Sequence, residues 1–145
     1  YTGVRMKYRP FRGRVTAVVL AGLLLAGCGT IEKDKRALGL QAATAAYQSA
    51  LRWGYFETAY GYVHPDQRKG NSKDLPAVFK DLRVAGYDVV QPSLMQSPGE
   101  AVQVATIEYF YEDRQVVKTI TDRQTWNYDP KLESWWLSSG LPKFR

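Results

Sequence analysis

Tyr47-Gln48-Ser49-Ala50-Leu51-Arg52-Trp53-Gly54-Tyr55-Phe56-Glu57-Thr58-Ala59-Tyr60, residues 47–60, joins the end of one helix to the start of another. Upstream, Leu40, Ala43, Tyr47, Ala50, Leu51 and Gly54 recur at helical spacing and make one apolar face. The spacing predicts a helix from Ala37 to about Trp53, broken at Gly54. A shorter helix should run from Tyr55 to Val63 and stop at His64-Pro65, because a residue before proline is pushed out of the helical region. Arg68 to Ser72 reads as a loop. Asn71 or Ser72 can cap a third helix reaching about Leu82, with Leu75, Val78, Phe79 and Leu82 on one side.

Beyond Arg83 the pattern changes to strands. Val84–Met95 is rich in β-branched and aromatic residues, and Pro92 marks an edge or a bend. Residues 96–100 read as a turn. Ala101–Tyr111 alternates, with Val102, Val104, Thr106 and Phe110 on one face and Ala105, Ile107, Tyr109 and Tyr111 on the other. Glu112-Asp113-Arg114 is expected as a tight turn. Gln115–Tyr128 should be a long strand presenting Val116, Ile120, Trp126 and Tyr128 together. Asn127 to Pro130 begins a further turn, and Ser134–Ser138 is the last strand. Connections this short imply an antiparallel meander. Helices first and strands after make an α+β domain, with N-terminal helices packed on a curved antiparallel sheet. About 110 residues with this aromatic content bury a core without disulfides.

The run from Tyr47 to Tyr60, the following helix and the Trp135-Trp136-Leu137 close resemble the nuclear transport factor two-like, or ketosteroid-isomerase-like, superfamily. The resemblance covers about residues 37–141 and rests mainly on element order. It implies a cone-shaped cavity between sheet and long helix. A strand between the second and third helices, common in that fold, has no good counterpart here. Such cavities serve enzymes, small-ligand binders and protein-docking modules alike, so fold does not decide function.

The formal net charge of +6 belongs to the front of the chain. Residues 1–27 hold five basic residues (Arg5, Lys7, Arg9, Arg12 and Arg14) and no acidic one; the rest is nearly neutral. That distribution argues against a nucleic-acid partner. The basic stretch is followed by the apolar run Val15 to Ala26 and then by Gly27-Cys28, the pattern of a signal peptide, with Met6 read as the initiator. The run is short for a span, which needs roughly 20 apolar residues. Leu25-Ala26-Gly27-Cys28 resembles the bacterial lipobox. That resemblance implies cleavage between Gly27 and Cys28, a diacylglycerol on the Cys28 sulfur and an acylated new amino terminus. Two or more chains make a stable anchor. Residues 1–27 are then a removed signal, 28–36 a lipidated solvated tether, and 37–145 a single domain. Gly29, in a place where Asp favours inner-membrane retention in enterobacterial lipoproteins, favours the periplasmic face of the outer membrane, with the inner membrane as the alternative. An uncleaved signal anchor is the rival reading, and a stray or buried thiol a further one. Cys28 is the sole cysteine, which excludes an internal disulfide.

Little chemistry is written elsewhere. His64 is the sole histidine and reads as a cap or a surface residue. No metal-ligand spacing, nucleophile motif or cofactor signature is present. Isomerase chemistry of the kind the resemblance suggests needs a carboxylate base with a Tyr and a protonated acid facing one cavity. The strand acids are Asp88, Glu108 and Asp122. Glu108 shares a face with Val104 and Phe110 and can point into a cone. Tyr47, Tyr60 and Tyr109 can supply hydroxyls. The plainer reading pairs Glu108 with Lys118 or Arg123 across strands and makes the tyrosines core edges. The catalytic candidates are therefore Glu108, Asp88 and Tyr109. Trp53, Trp126, Trp135 and Trp136 read as core. The favoured function is a non-enzymatic envelope lipoprotein that binds a protein partner or a small apolar ligand. The alternatives are a small cavity enzyme of isomerase or dehydratase type, and a structural component of an envelope assembly or secretion machine.

Overall fold

The computed structural model describes residue 3, residues 15–68, residue 75 and residues 77–145, with side chains from Gly29 onward within the first helix. The order is α1 (Val15–Arg52), α2 (Phe56–Tyr60), two single 3-10 turns (Pro65–Gln67 and Ala77–Phe79), then β1 (Leu82–Ser97), β2 (Glu100–Tyr111), β3 (Lys118–Asp129) and β4 (Ser134–Leu137). The chain divides into two compact units, residues 1–35 and 36–145. Within the described residues no helix is long and apolar enough to cross a membrane.

In the second unit, the apolar stripe of α1 is buried as its spacing requires: Leu40, Tyr47, Ala50 and Leu51 all enter the core. Thr44 shares that face and satisfies its hydroxyl by donating to the Leu40 carbonyl at 3.0 Å. The helix ends in a Schellman motif. Gly54 takes φ +76°, its N–H donates to Leu51, and the Tyr55 N–H donates to Ala50. This left-handed position is where a glycine is needed. Trp53, expected in the core, is 70 % exposed, because it stands at the helix end just past the buried stripe. Residues 29–36, expected as a solvated tether, lie within α1.

The helix expected over Tyr55–Val63 is shorter, and residues beyond Tyr60 turn into the segment ahead of β1. Arg68 holds that segment by donating to the Val63 and Gly61 carbonyls, each at 2.7 Å. Of the expected third helix, the described part is only the turn Ala77–Phe79; Asn71 and Ser72 lie outside the described residues. Asp81, at φ +61°, redirects the chain there, so Leu82 opens a strand instead of closing a helix.

The four strands form one antiparallel sheet in the order β1-β2-β3-β4. β1 and β2 pair from Leu82↔Tyr111 to Ser97↔Glu100, around a two-residue turn, Pro98-Gly99. That turn is tighter than expected, and Gly99 has φ +87°. Register shifts along β1 (at Val84/Gly86, Val89/Gln91, Gln91/Leu94 and Met95/Ser97) bend the strand, and the sheet curves over α1. The β2–β3 link is wider than the expected tight turn. It runs to Val117 and leaves Val116 and Val117 exposed, so Val116 does not join the face of Ile120 and Trp126. The core between α1 and the sheet contains Trp126, Tyr47, Leu51, Tyr109, Ile107 and Leu137, all essentially inaccessible. The Tyr47 ring meets Trp126 edge-on at 5.5 Å and Tyr62 at 6.1 Å. The architecture is the expected α+β one: helix on a curved antiparallel sheet.

Candidate functional site: a buried glutamine network behind an edge cleft

Strand alternation sets what faces inward. On β2 the interior takes Ala101, Gln103, Ala105, Ile107 and Tyr109; on β3 it takes Gln124 and Trp126, with Ile120, Asp122 and Tyr128 partly covered on the same side. The β2–β3 register sets Gln103 opposite Gln124 and the small Ala105 opposite Asp122. Two amides and a carboxyl are thereby carried into an aromatic core.

They survive there because their hydrogen bonds close on one another. The Gln124 side chain is fully buried. Its Nε2 donates to the Tyr87 hydroxyl at 2.6 Å and to Asp122 Oδ2 at 2.9 Å. Its Oε1 accepts from Gln103 Nε2 at 3.3 Å and from Trp126 Nε1 at 3.2 Å. Indole N–H only donates and a carboxylate only accepts, so the amide has one consistent orientation. All four of its hydrogen-bonding positions are used.

Asp122 lies between this network and solvent. Burial pushes its carboxyl above the usual range, and the Gln124 hydrogen bond only partly offsets that. Burial likewise pushes the Tyr87 hydroxyl up, opposed by the bond from Gln124. Tyr47 is raised most, by burial first and then by the nearby Asp122 and Tyr87. The Tyr47 hydroxyl has no hydrogen-bond partner. On its outer side Asp122 lines a cleft of about 430 Å³ with Ile120, Thr121 and Arg123 on one wall and the 139–145 segment on the other. That segment is anchored by Phe144, whose ring is buried against Tyr109 at 4.9 Å and Phe79 at 5.7 Å. On its other side is an open apolar groove of about 580 Å³, lined by residues including Tyr60, Val78, Phe79 and Phe144.

The residues singled out from sequence are not brought together. Glu108 is exposed on the outer face, since the odd-numbered residues of β2 take the interior. It lies opposite Thr119, while Lys118 and Arg123 face Tyr109 and Val104, so the expected cross-strand pair is replaced. Lys118 instead donates to the Arg145 carbonyl at 2.8 Å. Asp88 is exposed on β1. Tyr109 is buried, and its hydroxyl both donates to the Arg145 carbonyl and accepts the Arg145 N–H. Of the three strand acids only Asp122 faces the interior. Its signal was present in the alternation that grouped Ile120 with Trp126, since residue 122 falls between them on the same parity. His64 acts as a cap: its Nδ1 accepts the Asp66 N–H at 3.2 Å, and its Nε2 meets Asp129 Oδ2 at 3.3 Å. The Cys28 side chain and the surroundings of Gly27 lie outside what the structure describes.

This arrangement can present a carboxyl of reduced acidity to a polar ligand in the cleft. The phenols of Tyr87 and Tyr47 lie near it, and among the described residues no group of three or more His, Cys, Asp or Glu is placed to hold a metal ion. No family model matches the chain, and no curated protein matches it by sequence. Among solved structures it is similar to a ketosteroid isomerase-like protein from Erwinia carotovora atroseptica SCRI1043, with a TM-score of 0.51 and 14 % identity over 70 % of this chain and 89 % of that one. At that identity the likeness concerns the backbone: residues 36–145 have the ketosteroid-isomerase-like α+β fold.

Proposed function

We propose that the chain is a lipid-anchored protein of the bacterial envelope whose ketosteroid-isomerase-like domain binds a protein partner and turns over no substrate. The observation that carries the binding half is the filled interior. Trp126 and Tyr47 are each 0 % exposed and pack edge to face between α1 and the sheet, where the resemblance implies a cavity. The Tyr47 hydroxyl is buried there with no hydrogen-bond partner. Among the described residues, clefts open at the surface, two of them flanking the 139–145 segment and others beside the end of α1. The anchoring half is supported by the leader: a basic stretch, a short apolar run and Leu25-Ala26-Gly27-Cys28. The Gly29 position favours the outer membrane. Photo-crosslinking from the exposed positions of Leu94, Val117 and Leu132 in intact cells should recover one dominant envelope protein. Recovery of random neighbours alone would contradict a dedicated partner.

One observation favours the enzyme reading: the raised Asp122 carboxyl with Tyr87 and Tyr47 close by. Catalysis of that kind moves a proton at carbon next to a carbonyl. Under the binding account, deuterium uptake from heavy water into a β,γ-unsaturated ketone proceeds at the buffer rate. Acceleration that disappears in Asp122→Asn would establish the enzyme reading.

A further inference from the structure

β3 is longer than its partner on one side. β4 covers only residues 126–129, in the pairs Trp126↔Leu137 to Asp129↔Ser134. Three contacts establish which way the remaining main-chain groups point. The Tyr128 N–H donates to Gly99, on the β2 side. The Thr125 carbonyl accepts from Ser138 N–H, and the Thr125 N–H donates to Ser139 Oγ, both on the β4 side. In an antiparallel strand both groups of a residue point the same way, and successive residues alternate. Gln124, Asp122 and Ile120 therefore pair with β2, whereas Arg123 and Thr121 aim N–H and C=O away from it. They point into the cleft walled by the 139–145 segment. Among the described residues nothing pairs with those groups.

An unpaired edge of this kind accepts a further strand. The cleft lies between that edge and the 139–145 segment, and the added strand would continue the line of β4. Charge selects the occupant: Arg123, Lys143 and Arg145 line the cleft, against the single carboxylate of Asp122. That carboxylate is also turned inward onto Gln124. We propose that the edge of β3 at Thr121–Arg123 captures an extended segment of a partner protein carrying acidic side chains at alternate positions, held by main-chain hydrogen bonds and by Arg123 and Lys143. This deepens the partner-binding reading by naming its surface and rests on it.

The test uses the full chain, ¹⁵N-labelled in detergent micelles, titrated with the capped peptide Val-Glu-Val-Glu-Val. Amide signals of Thr121 and Arg123 should shift, and their hydrogen exchange should slow, while those of Ile120 and Asp122 are protected from the start. Replacing Glu by Lys in the peptide should weaken binding about tenfold or more, as should methylating its edge-facing amide nitrogens. Arg123→Glu with Lys143→Glu should reverse the charge preference. Thr121→Pro removes one edge N–H without touching the β2 ladder, since proline is tolerated on an edge, and should weaken binding comparably. Shifts confined to other residues, or equal affinity for the N-methylated peptide, would overturn the proposal. Anchoring plays no part in this experiment. A negative result beside a single crosslinked envelope partner removes the edge and leaves the binding reading, whereas random crosslinks remove both.

Discussion

Gln124 holds together residues that a sequence does not mark as a group. It is an uncharged side chain in the middle of a strand, yet Tyr87, Gln103, Trp126 and Asp122 all depend on it for a partner. A buried polar group left without a partner costs about 1–3 kcal/mol, so such a network must be complete to be tolerated. Asp122 is its costly member. Its carboxyl is raised in the folded state, so the native protein holds that proton to higher pH than the unfolded chain does. Stability contributed by this residue therefore falls as pH climbs from the ordinary aspartate value, about 3.9, through the folded one. Asp122→Asn keeps an acceptor for Gln124 and removes the charge. Its melting temperature should exceed wild type at pH 7, with the gap closing by about pH 3. A gap that is constant with pH would mean that ionisation of Asp122 is not what costs stability.

At the scale of elements, α1 carries the fold's most legible signal, and one glycine in it invites a direct check. Gly39 lies in the helix interior, and a methyl group there would meet Trp135 Cδ1 at 3.5 Å, an ordinary contact. Gly39→Ala should stabilise the domain by up to about 1 kcal/mol in chemical denaturation, the helix-propensity difference. A loss would show that the Trp135 indole, held by its bond to the Arg36 carbonyl at 2.9 Å, cannot accommodate the methyl. The apolar stripe from Leu40 to Leu51 was readable because a helix with one polar side has one possible inner face. β2 was not readable in that way. Val102, Val104 and Phe110 on one face are as apolar as Ala105, Ile107 and Tyr109 on the other, so alternation alone did not choose the interior. For that reason the alternation allows Glu108 an inward position and does not set Asp122 apart from it. The Gln103–Gln124 pairing was hidden more deeply. It depends on the β2–β3 register, which the six-residue connection Glu112–Val117 sets through Gln115 at φ +52°. Of the expected third helix only the turn Ala77–Phe79 lies within the described residues, and after it the positive φ of Asp81 turns the chain into β1.

For the whole molecule, two sections of sequence answer different questions. Residues 36–145 are a compact unit whose core holds Trp126 and Tyr47 and whose β3 edge is the surface proposed to hold a partner. Residues 1–28 carry nearly all of the net charge and the Leu25-Ala26-Gly27-Cys28 tetrapeptide, and so bear on where that unit is held. A soluble copy of the same domain would meet its partner at cytoplasmic or periplasmic concentration. An anchored copy meets it at a membrane surface, where even a short edge interaction is reinforced by proximity. Anchoring is therefore the central claim, and the thiol of Cys28 decides it. Wild-type chain and Cys28→Ala should be expressed with a labelled fatty acid and then fractionated. The account predicts label and cleavage in the wild type, and in Cys28→Ala neither label nor mature protein, with full-length precursor accumulating. A Cys28→Ala protein that is still cleaved at Gly27 and still held at the membrane by lipid would contradict it.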